Sequence, residues 1–263
     1  MTNKRFKITL KGDEANNSLR LGDLIDQLDA LKNVLNHIDK RISDRKSPSL
    51  YYRITELSMN SPVTMEVEAV SKQKNDDHGS AVIKRFSDDL LQVIKGKRPY
   101  NADLELLESY KSLAKPLKKH ILQFVLSVES QDIDIPRSLD SMIEDILGPD
   151  QIEYGSIVGS LDVIDIHNDR NNFKVYPMVG ATCVKCHFKS DVLHKALSGI
   201  NHFVEITGEL HYKKAEKFPH FINVANIDIL PDDSEIRHLL SSIRGIAKDN
   251  FLGISSTEYV DSI

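Results

Sequence analysis

The sequence CVKCH at residues 183–187 places two thiols and an imidazole at the spacing used for covalent attachment of a c-type haem. The apolar alternation across residues 182–188 favours a strand instead, in which Cys186 faces one side and Cys183 and His187 face the other. The two sulfurs then diverge, and no second CxxC pair completes a zinc site. The sequence therefore predicts a buried structural Cys186, and neither haem nor zinc.

Asp165, His167 and Asp169 occupy alternate positions, so an extended chain presents all three on one face, as a hard-metal or hydrolytic site requires. The stretch 165–172 is rich in Asp and Asn, which is typical of a solvated hairpin tip. We therefore expect a turn between two strands. A metal-dependent hydrolase at this position is a distant alternative.

A third group of side chains combines positive charge with aromatic rings. It consists of Tyr212, Lys213, Lys214, Lys217 and Phe218. Single-stranded nucleic acid is bound by basic grooves with stacking aromatics, so this cluster is a candidate contact surface. A solvated hairpin tip is the alternative. The formal charge of −5 argues against broad, non-specific binding to phosphates.

The residues of these three groups lie in or between segments in the second half of the chain in which apolar and polar residues alternate. These segments span residues 154–167, 172–177, 182–188, 202–212 and 221–230. A short helical stretch, 191–199, lies between the third and the fourth. Five strands with a helix at that point predict an OB-fold barrel, whose face and loops commonly bind oligonucleotides or oligosaccharides.

The first half predicts a small α/β layer domain with the element order β-α-β-β-α-α-β. Its strands are expected at 5–11, 50–57, 63–70 and 121–135, and its helices at 21–42, 81–94 and 102–119. Aliphatic residues recur at spacings of three and four along the first helix. That stripe suits packing on the sheet, or pairing with a second copy through the 21–42 helix.

The predicted fold class is α+β in three parts. These are an N-terminal α+β domain (1–148), an OB-like barrel (149–231) and a short C-terminal helical tail (232–263), with a connecting helix at 138–147. Apolar residues in the tail form a candidate partner-binding element, although folding back on their own domain is an equal alternative. They are Ile246, Phe251, Leu252, Ile254, Tyr259, Val260 and Ile263.

Several classes of protein are disfavoured by composition and missing motifs. No apolar run approaches the length of a membrane span, and the start has no export signal, so a cytoplasmic location without membrane contact is expected. The two cysteines imply no disulfide framework. No phosphate-binding glycine loop, HExxH or GxSxG is present, so we predict no cofactor and nominate no catalytic residue.

Four short runs resemble an uncharacterised bacterial protein family with an OB-fold-like C-terminal domain. The runs are YGSIVG at 154–159, NFKVY at 172–176, VKCHF at 184–188 and VEITGEL at 204–210. The first half is similar around 21–35 and 61–63. The resemblance implies an OB-like module in a bacterial cytoplasmic protein that is the partner of a small toxin nuclease. It transfers no functional residues.

Two functional hypotheses from different classes follow. The first is a non-catalytic binding or regulatory protein that acts on a protein partner through the OB-like domain and the tail, as an antitoxin-like or defence-system accessory protein does. The alternative is a single-stranded DNA or RNA binding protein that uses the barrel and the basic cluster. The second hypothesis predicts an affinity that falls steeply with salt.

Overall fold

The protein divides into two compact units, Met1–Pro149 and Asp150–Ile263. A computed structural model describes residues 4–13, 18–73, 77–166, 171–179, 183–214 and 216–231. The predicted helical tail at 232–263 lies outside the described residues.

The first unit is a five-stranded sheet with helices packed on one face. Its strands are β1 (Arg5–Gly12), β2 (Leu50–Ser58), β3 (Val63–Ser71), β4 (Ile121–Val128) and β5 (Gln131–Asp134). Its helices are α1 (Leu21–Ser43), α2 (Gly79–Ile94), α3 (Leu104–Lys111), α4 (Ala114–Leu117) and α5 (Leu139–Leu147). The strands are ordered β2-β3-β1-β4-β5, and every neighbouring pair is antiparallel.

The alternation of apolar and polar residues explains why only one face of this sheet is covered. Phe6, Ile8 and Leu10 of β1 are buried, as are the apolar positions of β3. The intervening side chains point to the opposite face. The predicted hairpin between β2 and β3 is confirmed.

Two predicted elements of this unit are wrong in their extent. The strand expected at 121–135 is a hairpin of β4 and β5, because Glu129 adopts a positive φ of 55° and reverses the chain without a glycine or proline signal. The helix expected at 102–119 is divided into α3 and α4. Pro116 has no amide to bond the carbonyl of Ser112, so the helix is interrupted just before that turn.

The second unit is a five-stranded sheet that closes on itself. It contains β6 (Gln151–Asp165), β7 (Asn172–Pro177), β8 (Val184–His187), β9 (Phe203–Tyr212), β10 (Phe221–Ile229) and the helix α6 (Leu193–Ser198). The pairing runs β10-β8-β7-β6-β9, and β9 pairs with β10 to complete the ring. The β8–β10 pair is parallel and the others are antiparallel.

Inward-facing apolar residues from all five strands fill the barrel. Phe173 and Phe188 anchor this core, with ring centroids 5.3 Å apart. The strand β6 is 15 residues long, which allows it to pair with β7 and β9 over different parts of its length. It begins at Gln151, three residues before the predicted start, because its first residues pair with the end of β9.

Candidate functional site

Two lysines face each other on the outside of the barrel. Lys174 in β7 is directly opposite Lys185 in β8, and both side chains are exposed. Their chain neighbours Val175 and Cys186 are buried in the barrel core, so strand alternation turns both lysines outward. Directly opposed side chains on adjacent strands lie about 5 Å apart at Cβ.

This pair brings together two positive charges. Like charges directly opposite across a ladder are destabilising. Within the described part of the chain, neither Lys174 nor Lys185 has a side-chain hydrogen bond or ion pair. Among the described residues these two ammonium groups therefore have no acidic partner, and an anionic ligand would neutralise them.

The loop between β9 and β10 adjoins the same face. The amide of Lys185 donates to the carbonyl of His220 at 3.3 Å, and Lys185 is in register with Phe221. The Phe221 ring packs edge-on against His211, with ring centroids 5.3 Å apart. The loop that carries the predicted basic and aromatic cluster therefore contacts β8 at Lys185 through its last residue, His220.

The members of that predicted cluster have different environments. Lys214 and Lys217 are exposed, and Phe218 is 43% exposed. Tyr212 is half-buried against the barrel core, and its pKa is raised by burial and by the nearby Glu153. The loop therefore presents two cations and one ring to solvent.

Lys213 is held by an acid at the start of the second unit. Its Nζ lies 2.8 Å from Oδ1 of Asp150, which also contacts Nε2 of His220 at 3.2 Å, while Oδ2 lies 3.4 Å from Nδ1 of His211. Burial by itself would raise the pKa of Asp150, but the hydrogen bonds from Lys213 and His220 outweigh it and lower the pKa. The ion pair compensates the charge of Lys213 and fixes the loop to the barrel.

A second outward row of residues limits the basic face. One step along the strands from the lysine pair, the register runs Asp165, Asn172, His187, Asn223, Glu209 and Tyr154. His187 contacts Asn172 at 3.2 Å, and Asn223 donates to Glu209 at 3.2 Å. This row therefore places two acids, Asp165 and Glu209, beside the lysine row.

The side chains of the CVKCH motif do not point toward one common site. Cys186 is buried in the barrel core and Cys183 is partly exposed, whereas His187 points outward. Burial raises the pKa of Cys186. The prediction of a buried structural Cys186 is confirmed.

No group of metal-binding side chains is assembled in the part of the chain that the structure describes. Asp165 ends β6, whereas His167 and Asp169 lie outside the described residues. The apolar tail residues 246–263 lie outside them as well.

Ser49, His78 and Asp39 in the first unit combine the side-chain types of a hydrolase proton relay. A relay needs the acid and the hydroxyl on opposite nitrogens of the ring. Here Nε2 of His78 contacts both, at 2.7 Å from Asp39 and 3.1 Å from Ser49. The carboxylate of Asp39 also accepts from the amides of Ser49 and Leu50, so this cluster anchors the start of β2 to α1.

The opposed lysines are not among the site residues predicted from the sequence. The alternation in NFKVY and VKCHF predicts that one lysine on each strand faces outward, and this is the sequence signal that could have identified them. Which residues become opposite depends on the register between β7 and β8.

No protein-family model matches the chain, and no curated protein matches it either. Among the described residues, no helix is both long enough and apolar enough to cross a membrane.

Proposed function

We propose that the protein is a non-catalytic binding protein whose second unit is an OB-fold. The proposal is supported by the ring of pairings among β6, β7, β8, β10 and β9, by the parallel β8–β10 pair, and by α6 between β8 and β9. In an OB-fold the face of the second and third strands, with the adjoining loops, is the usual ligand surface. Here those strands are β7 and β8.

The ligand that this face suits best is single-stranded nucleic acid. The observation that carries the proposal is the directly opposed pair of Lys174 and Lys185 on β7 and β8, which has no acidic partner among the residues that the structure describes. Lys214 and Lys217 extend the positive charge into the neighbouring loop, and Phe218 offers a ring for base stacking. Lysines contact the phosphates and the ring contacts a base, so the binding needs little sequence preference.

The acidic composition of the chain affects the expected affinity for single-stranded nucleic acid. Its net charge of −5 opposes long-range attraction of an anion, so the affinity depends on the local lysines. Four lysine contacts to a single strand correspond to a slope of about −3 in log K against log salt. We therefore expect a binder that is effective at low salt and weak at high salt.

Charge reversal of the opposed pair tests this proposal. Fluorescence anisotropy with a labelled oligothymidylate or oligouridylate of about 15 nucleotides measures binding to the full chain. The double variant Lys174→Glu/Lys185→Glu is expected to bind roughly ten to a hundred times more weakly, because two phosphate contacts become repulsive.

A matched control separates the local face from the overall charge. Lys46 and Lys95 are exposed lysines of the first unit, so Lys46→Glu/Lys95→Glu makes the same change in net charge. The control is expected to bind about as well as the native protein. Equal weakening by the two double variants, or no binding by the native protein at low salt, would refute the proposal.

A protein partner bound through residues 246–263 is a second proposal, and it rests on the apolar residues of that segment. A bacterial cytoplasmic antitoxin-like or defence-system accessory protein is the corresponding role. A pull-down from the native host, with nuclease treatment, tests it. A stoichiometric partner that is lost when 246–263 is removed supports this role, and retention of oligonucleotide alone opposes it.

A further inference from the structure

The strand β2 is an open edge of the sheet in the first unit. Among the strands that the structure describes, it pairs with β3 on one side only, since the sheet order begins with β2. Its side chains on the helix-covered face include Ile54 and Leu57, which are opposite Val67 and Met65 of β3. Val67 and Met65 are buried, yet Ile54 is 50% exposed and Leu57 is 54% exposed. The apolar face of the sheet therefore continues beyond its helical cover.

The flank of α1 completes an apolar groove beside this edge. Leu28 and Leu35 of the helix line it together with Leu50, Tyr52 and Ile54, and its volume is about 420 Å³. The α1 residues Leu21 and Ile25 are also exposed, Ile25 by 50%. The flank of α1 at Leu28 and Leu35 and the edge of β2 thus line one groove.

A β-bulge determines which β2 residues share a face. The register with β3 shifts between Ile54 and Glu56, so Thr55 is an extra residue in the strand, and its hydroxyl donates to the carbonyl of Glu66. As a result Arg53 and Glu56 both lie on the outer face, although they are three positions apart. In a regular strand they would point to opposite sides.

The two outer-face charges of β2 have different neighbours. Arg53 pairs with Glu68 of β3 at 2.8 Å. Glu56 is directly opposite Glu66, which is a like charge, and within the described residues Glu56 has no hydrogen bond or ion pair from its side chain. Glu66 is paired with Arg5 at 3.1 Å, so Glu56 is the carboxylate that a cation on the open side of β2 would neutralise.

We propose that the β2 edge is the interface with a second copy of this chain, which pairs antiparallel about a two-fold axis at Ile54. This arrangement places Ile54 opposite its counterpart, with the extra residue Thr55 unpaired on both strands. Arg53 of each copy then faces Glu56 of the other, and Tyr52 of each copy faces Leu57 of the other, so each contact occurs twice in the dimer. All opposed residues lie on matching faces.

The surface selects its own copy because its charges are self-complementary. In a two-fold interface the same patch is used on both sides, so Arg53 of each copy, while paired with Glu68 of its own chain, also faces Glu56 of the other copy. The dimer differs from a pairing through the 21–42 helix, since its contacts are made by the β2 edge. It does not depend on nucleic-acid binding by the barrel.

Charge exchange tests the arrangement in the full-length protein. We expect a dimer by sedimentation or light scattering between about 1 and 100 µM. Arg53→Glu and Glu56→Arg are each expected to weaken the dimer at least tenfold, because each creates two like-charge contacts. The double variant Arg53→Glu/Glu56→Arg is expected to dimerise again.

A mixture of the two single variants gives a sharper result. Positions 53 and 56 are both acidic in the Arg53→Glu chain and both basic in the Glu56→Arg chain, so each acid would face a base across the interface. The mixture is therefore expected to form a heterodimer, although neither variant dimerises alone. Lys7→Glu on the central strand β1 makes the same charge change as Arg53→Glu away from the edge, and it is expected to remain dimeric.

Three outcomes would overturn the proposal. A protein that is monomeric at every concentration would leave the groove to a different partner. A dimer that survives both single charge reversals and Ile54→Lys would use another surface. Failure of the double variant and of the mixture to associate, in proteins whose circular dichroism matches the native protein, would contradict the pairing of Arg53 with Glu56.

Discussion

At the scale of the residue, Asp39 joins three elements of the first unit. Its buried carboxylate accepts hydrogen bonds from the amides of Ser49 and Leu50, at 2.7 and 2.8 Å, and from the hydroxyl of Ser49 at 2.8 Å. It also contacts His78, the residue before α2. Burial by itself would raise the pKa of Asp39, but these hydrogen bonds outweigh it and lower the pKa.

Asp39→Asn is expected to destabilise the protein by about 2 to 4 kcal/mol, because the amide group presents a donor where the carboxylate accepts. Denaturant unfolding followed by circular dichroism measures this change. The lowered pKa also gives the native protein stability that is complete above the usual carboxyl pKa of 3.8 and is lost as pH falls through the lower folded value. The variant is expected to lack that contribution.

Asp29→Asn is a suitable control for this experiment. Asp29 is exposed on the same helix and pairs with Lys32 at 3.4 Å, so its replacement is expected to cost less than about 1 kcal/mol. Equal losses from the two substitutions would contradict the role given to Asp39.

At the scale of the element, Gly208 allows β9 and β10 to approach closely. A Cβ at this position would lie 2.1 Å from the carbonyl oxygen of Asn223 in β10, beside the register shift between Val224 and Asn226. Main-chain atoms on the facing strand cannot move aside as a flexible side chain does. The glycine is therefore required by the pairing of the two strands.

Gly208→Ala is expected to destabilise the barrel by about 2 to 3 kcal/mol. Gly22→Ala is the matched control, because a Cβ there meets nothing within 4 Å and alanine favours the helix by up to about 1 kcal/mol. Denaturant unfolding of both full-length variants checks that the free energy of unfolding falls for Gly208→Ala and rises for Gly22→Ala. An unchanged or increased stability of Gly208→Ala would show that β10 tolerates a side chain at this contact.

Local sequence patterns predict most of the strands but not how those strands are turned and paired. Alternation located the β2–β3 hairpin and the five barrel strands, since each half-buried strand leaves a period of two. It did not reveal the turn at Glu129, because a left-handed conformation at a non-glycine residue has no compositional signal. It also did not predict that Lys174 and Lys185 are opposite, because strand register depends on packing across the barrel.

At the scale of the whole molecule, the proposals assign different tasks to the two units. The first unit presents an apolar edge with charges that complement themselves, which suits association of copies. The second presents Lys174 and Lys185, which have no acidic partner in the described part of the unit, and this pair suits an anionic strand. Two copies of the barrel in one dimer would increase the apparent affinity for a strand long enough to reach both.

The most direct test of nucleic-acid binding is the salt dependence of the affinity for a short single strand. We predict a slope of about −3 in log K against log salt for the native protein, and about half that magnitude after replacement of Lys174 and Lys185 by alanine. The alanine replacements remove two phosphate contacts without adding repulsion. A slope near zero, or an equal slope for both proteins, would contradict the claim that these lysines bind the strand.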